Sequence, residues 1–204
     1  MKKIMFNDRY GLTEAVLEGR KTMTRRFISE DVWQRADVYR HKHYEDTLGL
    51  LPGKEALIKF FPFKVGEVVA VAQSYETVGI RPLALLCVKG EWVTAIRTPG
   101  WKNKMFVSAD YMCRYIRITN VRVERLQDIS GEDCLREGIV KDDCKTYFNG
   151  YAFDYSFDQH GNMLAARWYK TPREAYAALI DKVCGKGTWA DNPWVFAIEF
   201  EYLK

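Results

Sequence analysis

Hydrophobic and polar positions along the chain fall into short segments whose period keeps changing. Leu12, Ala15 and Val16 share one helical face and Gly19 follows where a helix stops, so residues 11–18 predict a short helix. From Lys21 to Phe27 the pattern alternates as a strand, with Lys21, Met23 and Arg25 on one face and Thr22, Thr24 and Arg26 on the other. The apolar run Val68 to Ala72 predicts a core strand that ends in the polar stretch Gln73-Ser74-Tyr75-Glu76. Pro82 to Val88 and Glu91 to Ile96, joined at Lys89-Gly90, predict a hairpin. The clearest strand runs from Arg114 to Leu126. Its inward face switches between Ile118 and Val121, which predicts a bulge or bend near Thr119-Asn120. Ser130, with Asp133 three positions on and Gly138 after the end, predicts a short capped helix, and Thr171-Pro172-Arg173-Glu174 opens a longer one to about Val183. Trp194 to Tyr202 alternates as a closing strand.

Two stretches interrupt this pattern. Residues 29–64 are polar and weakly periodic, and read as an inserted segment with one helix starting at Ser29. Residues 144–169 are crowded with aromatics around the turn Asp158-Gln159-His160-Gly161, and read as a hairpin covering the core. Short strands, brief helices and no βαβ alternation predict an α+β, mainly β chain: a small barrel with short flanking helices. A length of 204 residues suits a single domain over 1–204, with insertions at about 29–64 and 144–169.

Composition narrows the class. With 48% hydrophobic and 28% charged residues the chain is an ordinary globular one, and a net charge of +4 tolerates a nucleic-acid partner without requiring it. Five cysteines without a CxxC pair make a poor disulfide framework, so free thiols in a reducing cytoplasm are expected. His41 and His43 would share a strand face, but no third ligand accompanies them and no metal is expected. No apolar run approaches the roughly 20 residues that cross a bilayer, and an acid follows the N-terminus too soon for a signal peptide, so the expected setting is cytoplasmic with no membrane partner. Neither a GxGxxG nor a P-loop pattern occurs, and no cofactor is expected.

The stretch Gly19-Arg20-Lys21-Thr22-Met23-Thr24-Arg25-Arg26 holds four cations and two hydroxyls with no acid, at a helix-to-strand corner. That composition suits a phosphate or another anionic group. A solvated basic turn is the plainer alternative.

Residues 15–26 resemble the opening signature of the ASCH (activating signal cointegrator homology) domain, a member of the PUA-like β-barrels. Gly19, Lys21 and Arg26 match it, and Thr24 stands in place of a glutamate. Further pieces are similar in the same order: residues 65–75, residues 121–139 and Asn192-Pro193-Trp194-Val195. Chains of this type look like those carried by bacteria and their phages. The resemblance implies a barrel with a cleft around the lysine-bearing loop, and RNA or nucleotide binding. In that reading Lys21, Arg25 and Arg26 contact phosphate beside Thr22 and Thr24. Gln73, Ser74 and Asn103 hydrogen-bond a base near Lys104, and Tyr75 or Trp194 stacks on it. One bacterial branch hydrolyses N4-acylated cytidine, which would make Lys21 and Thr24 catalytic. Its second-strand glutamate is here replaced by Gln73 within Ala72-Gln73-Ser74, and glutamine cannot act as a general base. A third reading is a phage or mobile-element protein-interaction module that uses residues 144–169. The oligomeric state is not legible.

Overall fold

The computed structural model describes residues 1–43, 53–79, 85–88, 91–94, 100–142, 150–157, 159, 163–165 and 167–203. The chain opens with β1 (Lys3–Ile4), α1 (Leu12–Leu17) and β2 (Met23–Phe27). Next come α2 (Glu30–His43), α3 (Lys54–Lys59) and β3 (Val68–Val71). A single-turn helix α4 (Tyr75–Val78) leads to the hairpin of β4 (Leu85–Val88) and β5 (Glu91–Thr94), then to the long β6 (Tyr115–Arg125). After α5 (Gly131–Arg136) come β7 (Val140–Lys141), β8 (Tyr151–Ala152), β9 (Tyr155–Phe157) and β10 (Met163–Ala165). The chain closes with α6 (Pro172–Cys184), α7 (Thr188–Asp191) and β11 (Trp194–Leu203).

The fold is α+β, built on one five-stranded sheet of order β1-β3-β6-β11-β2. All neighbours in it are antiparallel except β1 and β3, whose parallel pairing follows from the long excursion between them. Three two-stranded ribbons, β4–β5, β7–β8 and β9–β10, lie beside it. The hairpins expected at 82–96 and across the 158–161 turn are therefore present as β4–β5 and β9–β10, while the turn residues 89–90, 158 and 160–161 lie outside the described residues.

Pairing of β6 with β11 carries the register shift that the alternating pattern required. Glu199 pairs with Asn120 but Phe200 pairs with Ile118, so Thr119 is the extra residue of a β-bulge. The bulge lets Ile116 and Ile118 on one side of it, and Val121 and Val123 on the other, bury on the same face. Opposite them on β11 stand Phe200, Ile198 and Phe196, all buried. Val195 and Ala197 are buried as well, so this central strand is covered on both faces. Ala175, Tyr176, Leu179 and Ile180 of α6 join the same core.

A closed barrel is not what the strand pairing shows. β1 and β2 are the two sheet edges, and among the described residues no backbone hydrogen bond joins them. The sheet curls enough for side chains to span the gap: the Arg26 guanidinium on β2 donates to the Met5 carbonyl just past β1. With only two residues, β1 is too short to supply a ladder to β2.

The 29–64 segment carries two helices rather than one, and it packs on the core through Val32, Ala36 and Leu57. Residues 44–52 lie outside the described residues. Ser29 begins α2 with its backbone carbonyl, which accepts from Val32 and Trp33. His41 and His43 stand on this helix and not on a strand, so their spacing no longer puts them on one face.

Both expected helix caps are formed. Ser130 accepts from the Asp133 amide, and Thr171 from the Glu174 amide with Pro172 at the first helical position. Replacing Thr171 with alanine removes the acceptor at the start of α6, and the expected loss is about 1 kcal/mol of unfolding free energy, read by urea denaturation.

Candidate functional site

The basic stretch begins where α1 ends. Gly19 adopts φ 78°, a left-handed conformation that turns the chain so that the Lys21 amide donates back to Ala15. The Thr22 amide donates to the Arg136 carbonyl and the Thr22 carbonyl accepts from Phe200, which anchors the corner to α5 and β11 before β2 begins.

Lys21 is not a surface cation. It is 2% exposed, and its ammonium donates to Glu137 twice, to the carboxylate Oε2 at 2.5 Å and to the main-chain carbonyl at 2.6 Å. Arg25 turns to the same carboxylate, with Nη1 3.1 Å from Glu137 Oε1, while its other donors reach Glu124 at 2.6 Å and Asp133 at 3.1 Å. The Tyr176 hydroxyl lies 3.5 Å from Glu137 Oε1. Around this hub Arg122 pairs with Asp133 and Glu199, and Arg136 pairs with Glu199 at 2.8 Å. Thr22 Oγ1 accepts from Arg136 Nε at 3.3 Å. Lys21, Arg25, Arg122 and Arg136 thus face Glu124, Asp133, Glu137 and Glu199, four cations against four carboxylates.

Protonation follows burial and pairing. Burial pushes the Lys21 ammonium below its ordinary value against the pull of Glu137. For Arg25 burial also acts downward, but Glu137, Tyr176 and Glu124 together outweigh it and hold the guanidinium more firmly charged. Burial and then Glu137 push the Tyr176 phenol well up.

The other face of β2 has different neighbours. Thr24 pairs with Ile198 and Arg26 with Phe196, so both side chains stand on the face of the apolar core. Arg26 is half-buried and sits 5.7 Å from the Phe6 ring centroid. It forms no salt bridge among the described residues, and burial lowers its pKa from the ordinary arginine value against the pull of Glu137. Lys21 Nζ approaches the same ring at 5.9 Å. Lys104 donates to the Phe6 carbonyl at 2.5 Å, to Asp8 at 2.6 Å and to Thr13 at 3.0 Å. Gln73 lies two residues past Val71 on β3, as Phe6 lies two past Ile4 on the parallel β1, and Ile4 pairs with Val71. Gln73 is buried, and its Oε1 lies 3.8 Å from the Cys113 thiol. The buried Thr24 makes no side-chain hydrogen bond among the described residues. Phe6, itself buried, therefore stands at the seam between the two sheet edges, with Arg26, Lys104 and Gln73 about it.

The remaining candidates are spread out. Ser74 caps α4 by accepting from the Thr77 amide, and Asn103 caps the turn at Lys104–Phe106 by accepting from the Met105 amide. The Tyr75 ring packs against Gly100, where an added Cβ would meet it at 2.4 Å, and on Tyr111 at 5.8 Å. Trp194 lies at the far end of β2, beside Ile28 and Arg125, and its ring has Arg125 at 4.5 Å and Lys54 at 5.7 Å. A single base could not touch Tyr75, Lys21 and Trp194 together. Glu137, Glu124, Asp133 and Phe6 were not legible as site residues. Glu137 lies 116 positions from Lys21, and nothing in its local sequence marks it beyond its place before Gly138.

No family model, curated protein or solved structure matches the chain. Among the described residues no helix is long and apolar enough to cross a membrane.

Three outcomes follow from the ion pairs. Glu137→Ala leaves Lys21 and Arg25 buried without their shared partner and is expected to cost about 3–5 kcal/mol. Lys21→Met leaves Glu137 its bonds to Arg25, and chemical denaturation should show a smaller loss. Glu199 is held below its ordinary value of 4.5, first by the hydrogen bond from Arg136 and against burial. Because the folded pKa is depressed, its contribution is complete above 4.5 and fades as pH falls through the folded value. Glu199→Gln should therefore lower Tm at about pH 7 and much less at about pH 3.

Proposed function

We propose that the chain is a PUA-like, ASCH-type domain that binds RNA or a nucleotide at the Phe6 seam. The observation that carries this reading is Arg26, a half-buried guanidinium on an aromatic ring that forms no salt bridge among the described residues, with Glu137 acting on it only from a distance. A cation held partly out of water without an acidic partner is costly for the fold alone and well matched to an incoming anion. Lys104 stands at the same segment, and Gln73 offers an amide that can donate to or accept from a base edge. Lys21 and Arg25 shape this seam from behind through Glu137, and Arg26 makes the phosphate contact.

The hydrolytic alternative has less support. Lys21 is committed to Glu137, Thr24 faces the core side of β2, and Gln73 takes the place of the expected acid.

Short single-stranded RNA binding, measured by fluorescence anisotropy at two salt concentrations, tests the proposal. Arg26→Ala should weaken binding about tenfold and reduce the salt slope by about 1, the signature of one lost phosphate contact. Wild-type protein that does not bind at either salt, or an Arg26→Ala variant that binds equally well, rejects it.

A further inference from the structure

A second concavity opens on the other side of the same basic stretch. It is a cleft of about 410 Å³ between the start of α1, the Gly19-Arg20 turn and the β7–β9 strands. That volume lies in the range of small-molecule sites, roughly 300–1,000 Å³. Its aromatic side is formed by the half-buried Tyr10 and Tyr155, with the buried Phe153 edge to face with Tyr10 at 5.7 Å and the Lys182 ammonium 5.9 Å from the Tyr10 ring centroid.

Its charges are arranged unequally. Arg20 and Glu18 satisfy each other at 2.5 Å. Arg9, Glu14 and Asp154 also line the cleft, and among the described residues none of the three belongs to a salt bridge. Arg9 rests 5.6 Å from the Tyr10 ring centroid, beside the aromatic wall. The cleft therefore offers an aromatic surface, one open guanidinium and two open carboxylates.

We infer that this cleft holds a single nucleotide whose base carries an amino-bearing donor edge, with guanine the best fit. Carboxylates accept hydrogen bonds and give none, so they select bases that present N–H groups. Guanine presents N1–H together with its N2 amino group. Uracil presents carbonyl oxygens on both sides of its one N–H and meets repulsion there. The half-buried Tyr10 ring supplies the stacking surface, and Arg9 supplies the one contact to phosphate. A phosphate chain is a poor occupant, because Arg9 and Arg20 are outnumbered by Glu14, Glu18 and Asp154.

This inference rests on the nucleotide-binding reading, yet it concerns a different face of the protein and can fail separately. Isothermal titration calorimetry with GMP, guanosine, UMP and inorganic phosphate tests it. GMP should bind about tenfold or more tighter than UMP. At least one of Asp154→Asn and Glu14→Gln should reduce that preference, and Arg9→Ala should weaken GMP but not guanosine. Arg9 and Glu14 are exposed, so their variants are expected to fold, as circular dichroism would verify. Equal affinity for GMP and UMP, competition by phosphate alone at similar concentration, or indifference to both carboxylate variants overturns the inference. RNA binding that depends on Arg26 without any GMP binding rejects the cleft and keeps the seam. GMP binding unaffected by Arg26→Ala, with no RNA binding, rejects the seam and keeps the cleft.

Discussion

Much of the structure depends on one buried carboxylate. Glu137 is 4% exposed and takes Lys21 on one oxygen and Arg25 on the other. Removing an ion from water costs several kcal/mol that only close pairing offsets, and among the described residues Glu137 is the one carboxylate that pairs with Lys21, whereas Arg25 also has Glu124 and Asp133. Through these contacts the end of α5 is tied to the α1–β2 corner. The Lys21 side chain also packs past Gly138, whose φ of 105° and tight surroundings leave little room for a Cβ. Corner, helix end and glycine form one unit, from which β2 starts.

This arrangement divides the basic stretch by face. Lys21 and Arg25 face acids brought by α5 and β6, whereas Thr24 and Arg26 face the core and the seam. Arg20 takes a third direction, pairing with Glu18 at the rim of the cleft beside α1. A run that has no acid within it is thus mostly balanced by acids from elsewhere in the chain. Arg26 stands apart, which is why the proposed RNA contact centres on it rather than on the lysine of the signature.

The short edge strand β1 has a consequence for this geometry. A longer β1 could pair with β2, close the sheet and seal the Phe6 seam with main-chain hydrogen bonds. With two residues, it leaves the span to side chains: Arg26 to the Met5 carbonyl, and the Phe6 ring against Phe200 at 5.6 Å. The α2–α3 segment packs Val32, Ala36 and Leu57 into the core, so it contributes to stability as well as to the surface.

Local chemistry was enough to read most elements. Ser130 and Thr171 cap their helices because a hydroxyl beside free amides is a short-range interaction. The bulge at Thr119 was legible because a break in period-two alternation has few other solutions in a strand. The helix starting at Ser29 was legible as α2, whereas α3 was hidden because it is six residues long and buries only Leu57. What Lys21 touches could not be read at all. Its partner lies 116 residues away, and charge in a sequence carries a sign but no direction. Only the packing of α5 against the α1–β2 corner decided that the lysine is an internal ion pair and that Arg26 is left facing the seam.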